Sequence, residues 1–124
     1  ILNNCIAILN EVLKNLKPNK QQMLNLANFG YITATDLADY LVKNHSMPFR
    51  QAYKVTASIV NFAEKKHKKL NQLSIEELKK IEPKLTIEVL KIFNIKNSVN
   101  SKKSYGGTSF DNIKKMIIKY KKQK

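Results

Sequence analysis

The chain has few of the features that would tie it to a disulfide-linked or membrane-spanning architecture. Cys5 is the only cysteine among 124 residues, so no internal disulfide can form. No uninterrupted apolar run approaches the ~20 residues that a helix needs to span a bilayer. We therefore expect a soluble protein of the cytoplasm, without a membrane partner. The sequence opens at Ile1 with neither an initiator methionine nor a signal peptide, which predicts that it is a fragment.

Acidic residues are also scarce. Nine Asp and Glu stand against 23 Lys and Arg, which gives a formal net charge of +14. The excess lies in residues 48–124, which hold 19 basic and six acidic residues. Such a field attracts nucleic acid through counterion release. Arg50 is, however, the only arginine, the side chain suited to bidentate recognition of phosphate and guanine. We interpret the lysines mainly as a solvated surface and keep a nucleic-acid patch as the alternative.

Residues with catalytic or metal-binding potential are few and scattered. His45 and His67 are the only histidines, and they lie 22 residues apart. With Cys5 they form no metal-ligand spacing, so both are predicted to be surface side chains. The pair Gly106-Gly107 lacks the preceding strand and the spacing of a phosphate-binding loop, which favours a turn between helices.

The remaining candidates are acids and hydroxyls that have a structural explanation at helix starts: Asp36, Asp39, Glu76, Glu77, Thr33, Thr35, Ser74 and Thr108. No carboxylate pair and no hydroxyl with a partnered histidine is left over for acid–base or nucleophilic chemistry. We therefore predict no catalytic residue, no cofactor-binding residue and no metal site in these 124 residues.

Helical periodicity is what the sequence does contain. Every segment repeats its apolar residues with helical spacing, and none alternates with period two. Cap signals alternate with Gly or Pro stops, which predicts an all-α bundle of about six to eight helices with helix-turn-helix-like elbows. A chain of this length buries about two-thirds of its unfolded surface, enough for one core.

The most informative stretch is the elbow at residues 33–53. Thr33, with Asp36 three residues later, predicts a capped helix that begins near Ala34. Its predicted core face is Leu37, Ala38, Leu41 and Val42, with Asp36, Asp39 and Lys43 turned toward water. Residues 44–47 break the pattern, and Pro48 suits the first turn of a second helix that runs to about Lys68. The predicted stripe of that helix is Phe49, Ala52, Val55, Ile59, Phe62 and Ala63.

Other helix boundaries follow from caps and stops. Asn19 is the predicted cap of a second helix that ends before Gly30. Ser74 and Glu77 form a capping box for a helix that Pro83 closes, and Thr86 is a candidate cap for residues 87–93. One helical turn is expected around residues 98–102, and Thr108 with Asp111 should start the last helix. The apolar stripe of the last helix is Phe110, Ile113, Met116, Ile117 and Tyr120.

The first helix, residues 1–16, is apolar on more than half of its circumference through Leu2, Cys5, Ile6, Leu9, Val12, Leu13 and Leu16, with Ile1 and Ile8 beside them. Two interpretations stay open for it. It is either an ordinary core helix or an exposed surface that once contacted a partner.

Two stretches in register match a known family. Residues 33–42 are Thr-Ala-Thr-Asp-Leu-Ala-Asp-Tyr-Leu-Val, and residues 48–52 are Pro-Phe-Arg-Gln-Ala. They resemble the start of the C-terminal domain of argininosuccinate lyases, in the aspartase/fumarase superfamily, although Tyr53 stands where that family usually has histidine. The similarity continues through residues 70–78 and 104–108, and it covers roughly residues 10–118.

The resemblance implies a carbon–nitrogen lyase of arginine biosynthesis that cleaves argininosuccinate to arginine and fumarate without a cofactor. In that family the catalytic serine lies on a mobile loop, Gly-Ser-Ser-x-Met-Pro-x-Lys-x-Asn, and a histidine from an earlier segment assists. Neither motif occurs here. The resemblance therefore implies that this chain is inactive alone, and that its partners are the rest of the lyase subunit and the other subunits of a homotetramer.

The resemblance also implies a division of the chain. Residues 1–16 would be the tail of a helix of the central bundle, residues 17–120 the C-terminal helical domain, and residues 121–124 a frayed basic tail.

Two other functions compete with this one. A small basic nucleic-acid-binding module would use the helices around the 44–48 elbow as a helix-turn-helix. Polar and basic residues should then crowd the start of the second helix, yet only Arg50 in residues 48–51 is charged. Another lyase of the superfamily is the third possibility. We favour the argininosuccinate lyase branch and expect no specific nucleic-acid partner.

Overall fold

The computed structural model describes residues 1–122, and the regular structure of these residues is entirely helical. The helices are α1 (Leu2–Asn15), α2 (Lys20–Ala27), α3 (Ala34–His45), α4 (Phe49–Lys65), α5 (Ile75–Lys79), α6 (Val89–Ile92), α7 (Ile95–Ser101) and α8 (Phe110–Lys121). A short 3-10 helix, Leu70–Gln72, lies between α4 and α5. Eight α-helices and no strand within residues 1–122 confirm the predicted all-α class.

The hydrophobic core lies between α3, α4 and the segment that follows them, and α3 and α4 make the most extensive contact between helices. Its buried side chains include Leu37, Leu41, Met47, Ala52, Ile59, Ala63, Leu70, Leu73, Leu78, Leu85, Val89 and Phe93. Burying each large apolar side chain stabilises the fold by about 1.5–3 kcal/mol. The predicted core face of α3 is confirmed, with Val42 partly buried at its edge.

The elbow between α3 and α4 is shorter than predicted. Helix α3 continues to His45, and Ser46 ends it in the left-handed conformation, with φ of 49°. Pro48 lies one residue before α4, because its extended ψ of 138° places it outside the first turn. Helix α4 ends at Lys65 instead of Lys68, where the chain turns away from the helix axis. Phe49, predicted on the core stripe, is 63% exposed.

Two of the predicted caps are confirmed. The Asn19 side chain accepts a hydrogen bond from the Gln22 N–H at 3.0 Å. The Ser74 hydroxyl accepts from the Glu77 N–H at 3.3 Å, and the Glu77 carboxylate accepts from the Ser74 N–H at 3.0 Å. These reciprocal bonds are the predicted capping box of α5.

The helix caps predicted at Thr33 and Thr86 are wrong. Helix α3 begins at Ala34 as expected, but Thr33 is buried and its hydroxyl makes no capping bond. Its ψ of 5° departs from the extended geometry that aims a cap at the free N–H groups. Thr86 lies outside α6, which begins at Val89; its hydroxyl is instead 3.5 Å from that of Tyr40.

The starts of α7 and α8 also differ from the prediction. Asn94, which the prediction missed, caps α7 by accepting from the Lys96 N–H at 2.9 Å. The helix, Ile95–Ser101, begins earlier and is longer than the expected single turn. Ser109 caps α8 in place of Thr108, because its hydroxyl accepts from the Asn112 N–H at 3.4 Å.

Helices α1, α2 and α8 contribute no buried residue. Of the two interpretations of the first helix, the structure therefore supports the exposed surface, with Leu2, Ile6, Leu9 and Leu13 each more than half exposed. Helix α8 ends at Lys121 and Lys122 lies in a turn. The rest of the predicted frayed tail, residues 123–124, is outside the described residues.

Candidate functional site

A polar junction joins α3 to α7. Asp36 accepts from the Lys102 ammonium at 2.6 Å through Oδ1 and from the Ser98 hydroxyl at 2.5 Å through Oδ2. Only 12% of the Asp36 side chain is exposed. The prediction that Asp36 faces water is therefore wrong, because α7 lies against the first turn of α3. The hydrogen bond from Lys102 to the carboxylate raises the pKa of Lys102 and keeps it charged.

A cleft of about 300 Å³ lies beside this junction. Its lining carries both signs of charge, from Asp36, Asp39 and Lys43 of α3 and from Lys91 and Lys102. Asp39 and Lys43 are exposed, as predicted. Because Asp36, Ser98 and Lys102 satisfy one another, the arrangement holds two helices together and leaves neither a free base nor an activated nucleophile among these three groups.

The segment from Lys102 to Ser109 joins α7 to α8 through a turn. Gly106 has a positive φ of 78°, and the Gly107 N–H donates to the Ser104 carbonyl at 2.8 Å. The Ser109 N–H donates to the Lys102 carbonyl at 3.2 Å. These bonds confirm the prediction that the double glycine forms a turn between helices.

A second cluster of charges centres on Glu77. Its carboxylate accepts from Lys66 at 2.7 Å and from Lys68 at 3.0 Å, in addition to the Ser74 N–H. The hydrogen bond from Lys66, followed by those from Ser74 and Lys68, lowers the pKa of Glu77 to about 2. Glu77 is therefore ionised at neutral pH and ties the end of α4 to the start of α5, which agrees with the structural role expected for it.

The two histidines differ. His67 is exposed, as predicted, with a positive φ of 53°. His45 is half-buried, so its assignment as a surface residue is wrong: its ring meets Tyr40 edge-on at 5.4 Å. The His45 Nε2 atom is buried without a hydrogen-bond partner, so it activates no hydroxyl. Cys5 is an exposed free thiol.

Residues 1–122 contain neither a metal-binding cluster nor a membrane-spanning helix. No three His, Cys, Asp or Glu side chains in this range are grouped closely enough to hold a metal ion. No helix in the same range is long and apolar enough to cross a membrane.

The part of the chain from α3 to α7 has a recognisable family pattern. The family model for the C-terminal region of argininosuccinate lyase matches residues 31–100, more than half of the chain. The chain belongs to this family. The matched range contains the elbow and, from the polar junction, Asp36 and Ser98. The resemblance found in the sequence is thereby confirmed.

Three relatives extend the comparison beyond the matched range. The argininosuccinate lyase of Pelagibacter ubique is 88% identical over 122 residues, which are 98% of this chain and 26% of the relative. Those of Ehrlichia chaffeensis and Nitratiruptor sp. are 47% and 43% identical over 88% and 90% of the chain, and over 23% and 24% of their own lengths. The chain thus spans about a quarter of the length of these curated relatives.

Tyr53 is the position at which the chain departs from the motif that carries the resemblance to the argininosuccinate lyase family. Tyr53 is 64% exposed on α4 and lies outside the polar junction. The sequence analysis missed Ser98 and Lys102, the partners of Asp36. They follow Asp36 by 62 and 66 positions, and no helical periodicity or motif spacing connects residues so far apart in the chain. Only the Asp at the start of α3 gave a signal, and it pointed to helix capping.

Proposed function

We propose that this chain serves as the C-terminal domain of an enzyme that cleaves argininosuccinate to arginine and fumarate. The observation that carries the proposal is the 88% identity to an argininosuccinate lyase over 98% of the chain. Arginine biosynthesis is then the process that the whole protein serves, in the cytoplasm.

In this proposal the chain contributes structure and the chemistry takes place elsewhere in the protein. Proton abstraction beside a carboxylate needs a base within hydrogen-bond reach of the substrate. The acids and hydroxyls at the polar junction and around Glu77 are engaged in helix contacts. We assign no catalytic, cofactor-binding or metal-binding role to any residue of the chain, and we expect it to be inactive alone.

The partners that we propose are the rest of the lyase subunit and the other subunits of a homotetramer. Support comes from the apolar side chains that α1 leaves exposed, since monomeric proteins rarely expose large continuous apolar patches. In the assembly that we propose, the rest of the subunit and the other subunits would cover this helix, which is exposed along its whole length in the separate chain.

The test is a chimera built on the Pelagibacter ubique lyase. Its matched 122-residue segment is replaced by the corresponding residues of this chain, and fumarate release from argininosuccinate is followed in the ultraviolet. We expect turnover within about tenfold of the parent enzyme, a difference of about 1.4 kcal/mol in activation free energy. The same lyase without the segment, and this chain alone, are the controls and should release no fumarate.

Two results would contradict the proposal. A soluble tetrameric chimera without activity would show that the chain does not function as this domain. Fumarate release by the purified chain alone would place catalytic groups inside it. The comparisons give no support to a nucleic-acid-binding module, and we do not propose one.

A further inference from the structure

Helix α8 presents a continuous apolar stripe. It consists of Phe110, Ile113, Met116, Ile117 and Tyr120, which share one helical face and are 39% to 60% exposed. No residue of α8 is buried. The helix is therefore amphipathic, but the core formed by α3 and α4 does not use its apolar face.

Lysines border this α8 stripe on both sides. One groove of about 290 Å³ runs between Tyr105 and α8, with Lys115 and Lys119 at its rim. A second, of about 380 Å³, follows the stripe itself and is bordered by Lys121. Asp111 is the only acid within α8. A surface that covers the stripe would therefore meet positive charge at each edge.

The first turn of α8 is attached firmly to the rest of the domain. The Phe110 backbone N–H donates to the Asn100 side-chain oxygen at 3.3 Å. The Asn112 side-chain amide donates to the Ser104 carbonyl at 2.8 Å. Ser109, which caps the helix, is buried. The start of the stripe is thus held in place before any partner binds, which lowers the ordering cost of association.

A second copy of α8 is a poor match for the stripe, because two such helices would bring lysine rims against each other. We propose that the α8 stripe docks into an apolar groove edged by Asp and Glu side chains, on the part of the full-length protein that this chain does not span. About three-quarters of the relatives' length lies outside the matched segment, so the protein itself is large enough to supply the groove. The inference rests on the proposed function, since it assumes that the chain belongs to a longer lyase.

Hydrogen exchange of the α8 backbone, measured by mass spectrometry, tests the inference. The chimera and the isolated chain are compared under identical conditions, with α4 as the internal reference. We expect α8 amides to exchange about tenfold or more slowly in the chimera than in the isolated chain. The α4 amides should be protected in both samples, because α4 supplies much of the core.

Charge reversal at the rim makes the test specific. Lys119→Glu with Lys121→Glu should return α8 exchange in the chimera to the rate of the isolated chain. The matched control, Lys54→Glu with Lys80→Glu, changes net charge equally at exposed positions away from α8 and should leave the exchange unchanged.

Three results would overturn the inference. They are equal α8 exchange in the chimera and the isolated chain, protection that appears only after vesicles of phosphatidylserine are added, and protection in the isolated chain that rises with its concentration. The last two would assign the stripe to a membrane surface and to a second copy. The exchange measurement does not depend on turnover. An active chimera with an unprotected α8 therefore refutes the docking alone, whereas an inactive chimera refutes the proposed function.

Discussion

Gly107 is the residue whose small size decides whether the α7–α8 turn can close. A β-carbon placed there would lie 2.3 Å from the Lys102 carbonyl oxygen and 2.9 Å from that of Ser104. Both neighbours are backbone atoms, which cannot rotate away as a side chain would.

We expect Gly107→Ala to lower the free energy of unfolding by about 1–3 kcal/mol, through overpacking against the backbone. Gly30→Ala is the control: Gly30 has a φ of 78° but no atom within 4 Å of an added β-carbon, so only the left-handed conformation is penalised, by about 1 kcal/mol. Urea denaturation of each variant gives the comparison. A smaller loss for Gly107→Ala than for Gly30→Ala would mean that the turn relaxes around the new methyl group.

Ionised Glu77 makes a contribution to the free energy of unfolding that varies with pH in the acidic range. Its pKa falls from 4.5 in the reference state to about 2 in the fold, first through the hydrogen bond from Lys66. A depressed folded-state pKa stabilises the protein above the unfolded-state pKa, and this contribution is lost as the pH falls through the folded-state pKa. The stabilisation by Glu77 should thus disappear between pH values of about 5 and about 2.

Glu77→Gln should remove this contribution and leave the capping geometry of α5 in place. The urea midpoint of the wild type should approach that of the variant as the pH falls through this range. Glu88→Gln is a suitable control, because Glu88 is exposed, immediately precedes the short helix α6 and lies outside the Glu77 cluster. A constant gap between wild type and Glu77→Gln from neutral to acidic pH would contradict the assigned role of the carboxylate.

Helix α1 leaves its large apolar side chains exposed to solvent, which favours self-association. Its stripe of Leu2, Ile6, Leu9 and Leu13 is 57% to 72% exposed. The helix carries only one pair of charges, Glu11 and Lys14, which bind each other at 2.6 Å, so charge does not oppose the approach of a second copy.

We therefore expect the isolated chain to form a weak dimer through α1. Burial of two or three large apolar side chains per copy contributes about 1.5–3 kcal/mol each, which can offset the cost of association. Replacing Ile1 and Ile8 with lysine should shift the sedimentation profile toward monomer without loss of helical content. Asn3→Lys with Asn10→Lys adds the same charge on the polar face and should have a weaker effect. A monomeric wild type at high concentration would refute the idea.

The accuracy of sequence-based prediction differed between elements for physical reasons. Periodicity located the buried face of α3, because Leu37, Ala38 and Leu41 recur with helical spacing and the local pattern coincides with the core. It placed Phe49 in the core wrongly, since a single helical stripe can extend past the end of its partner.

Caps were predicted where a local reciprocal pattern exists, as in Ser74 and Glu77, and mistaken where several hydroxyls compete, as between Thr108 and Ser109. The polar junction could not be predicted at all. Its three side chains meet only because the tertiary fold brings α7 beside α3.

At the scale of the whole molecule, the net charge of +14 is the dominant long-range property. Because 22 of its 23 basic residues are lysine, we expect any affinity for DNA or RNA to be electrostatic and unselective. Electrophoretic mobility shifts with unrelated duplexes should give similar affinities, all of which fall steeply with salt. A tight complex with one sequence, stable at several hundred millimolar salt, would instead indicate specific recognition, which this lysine surface is not expected to provide.

The polar junction joins groups that lie far apart along the chain. This separation affects the order in which the elements of the molecule fold. Helices α3 and α4 are joined by only three residues, 46–48, so their contact closes a short loop. Asp36 meets Ser98 across 62 positions, and the entropy of closing a loop grows with its length. We therefore expect folding to begin with the α3–α4 pair and the later segment to pack onto it afterwards. We expect the junction to close late, and the direction of α8 to be fixed only when it has closed.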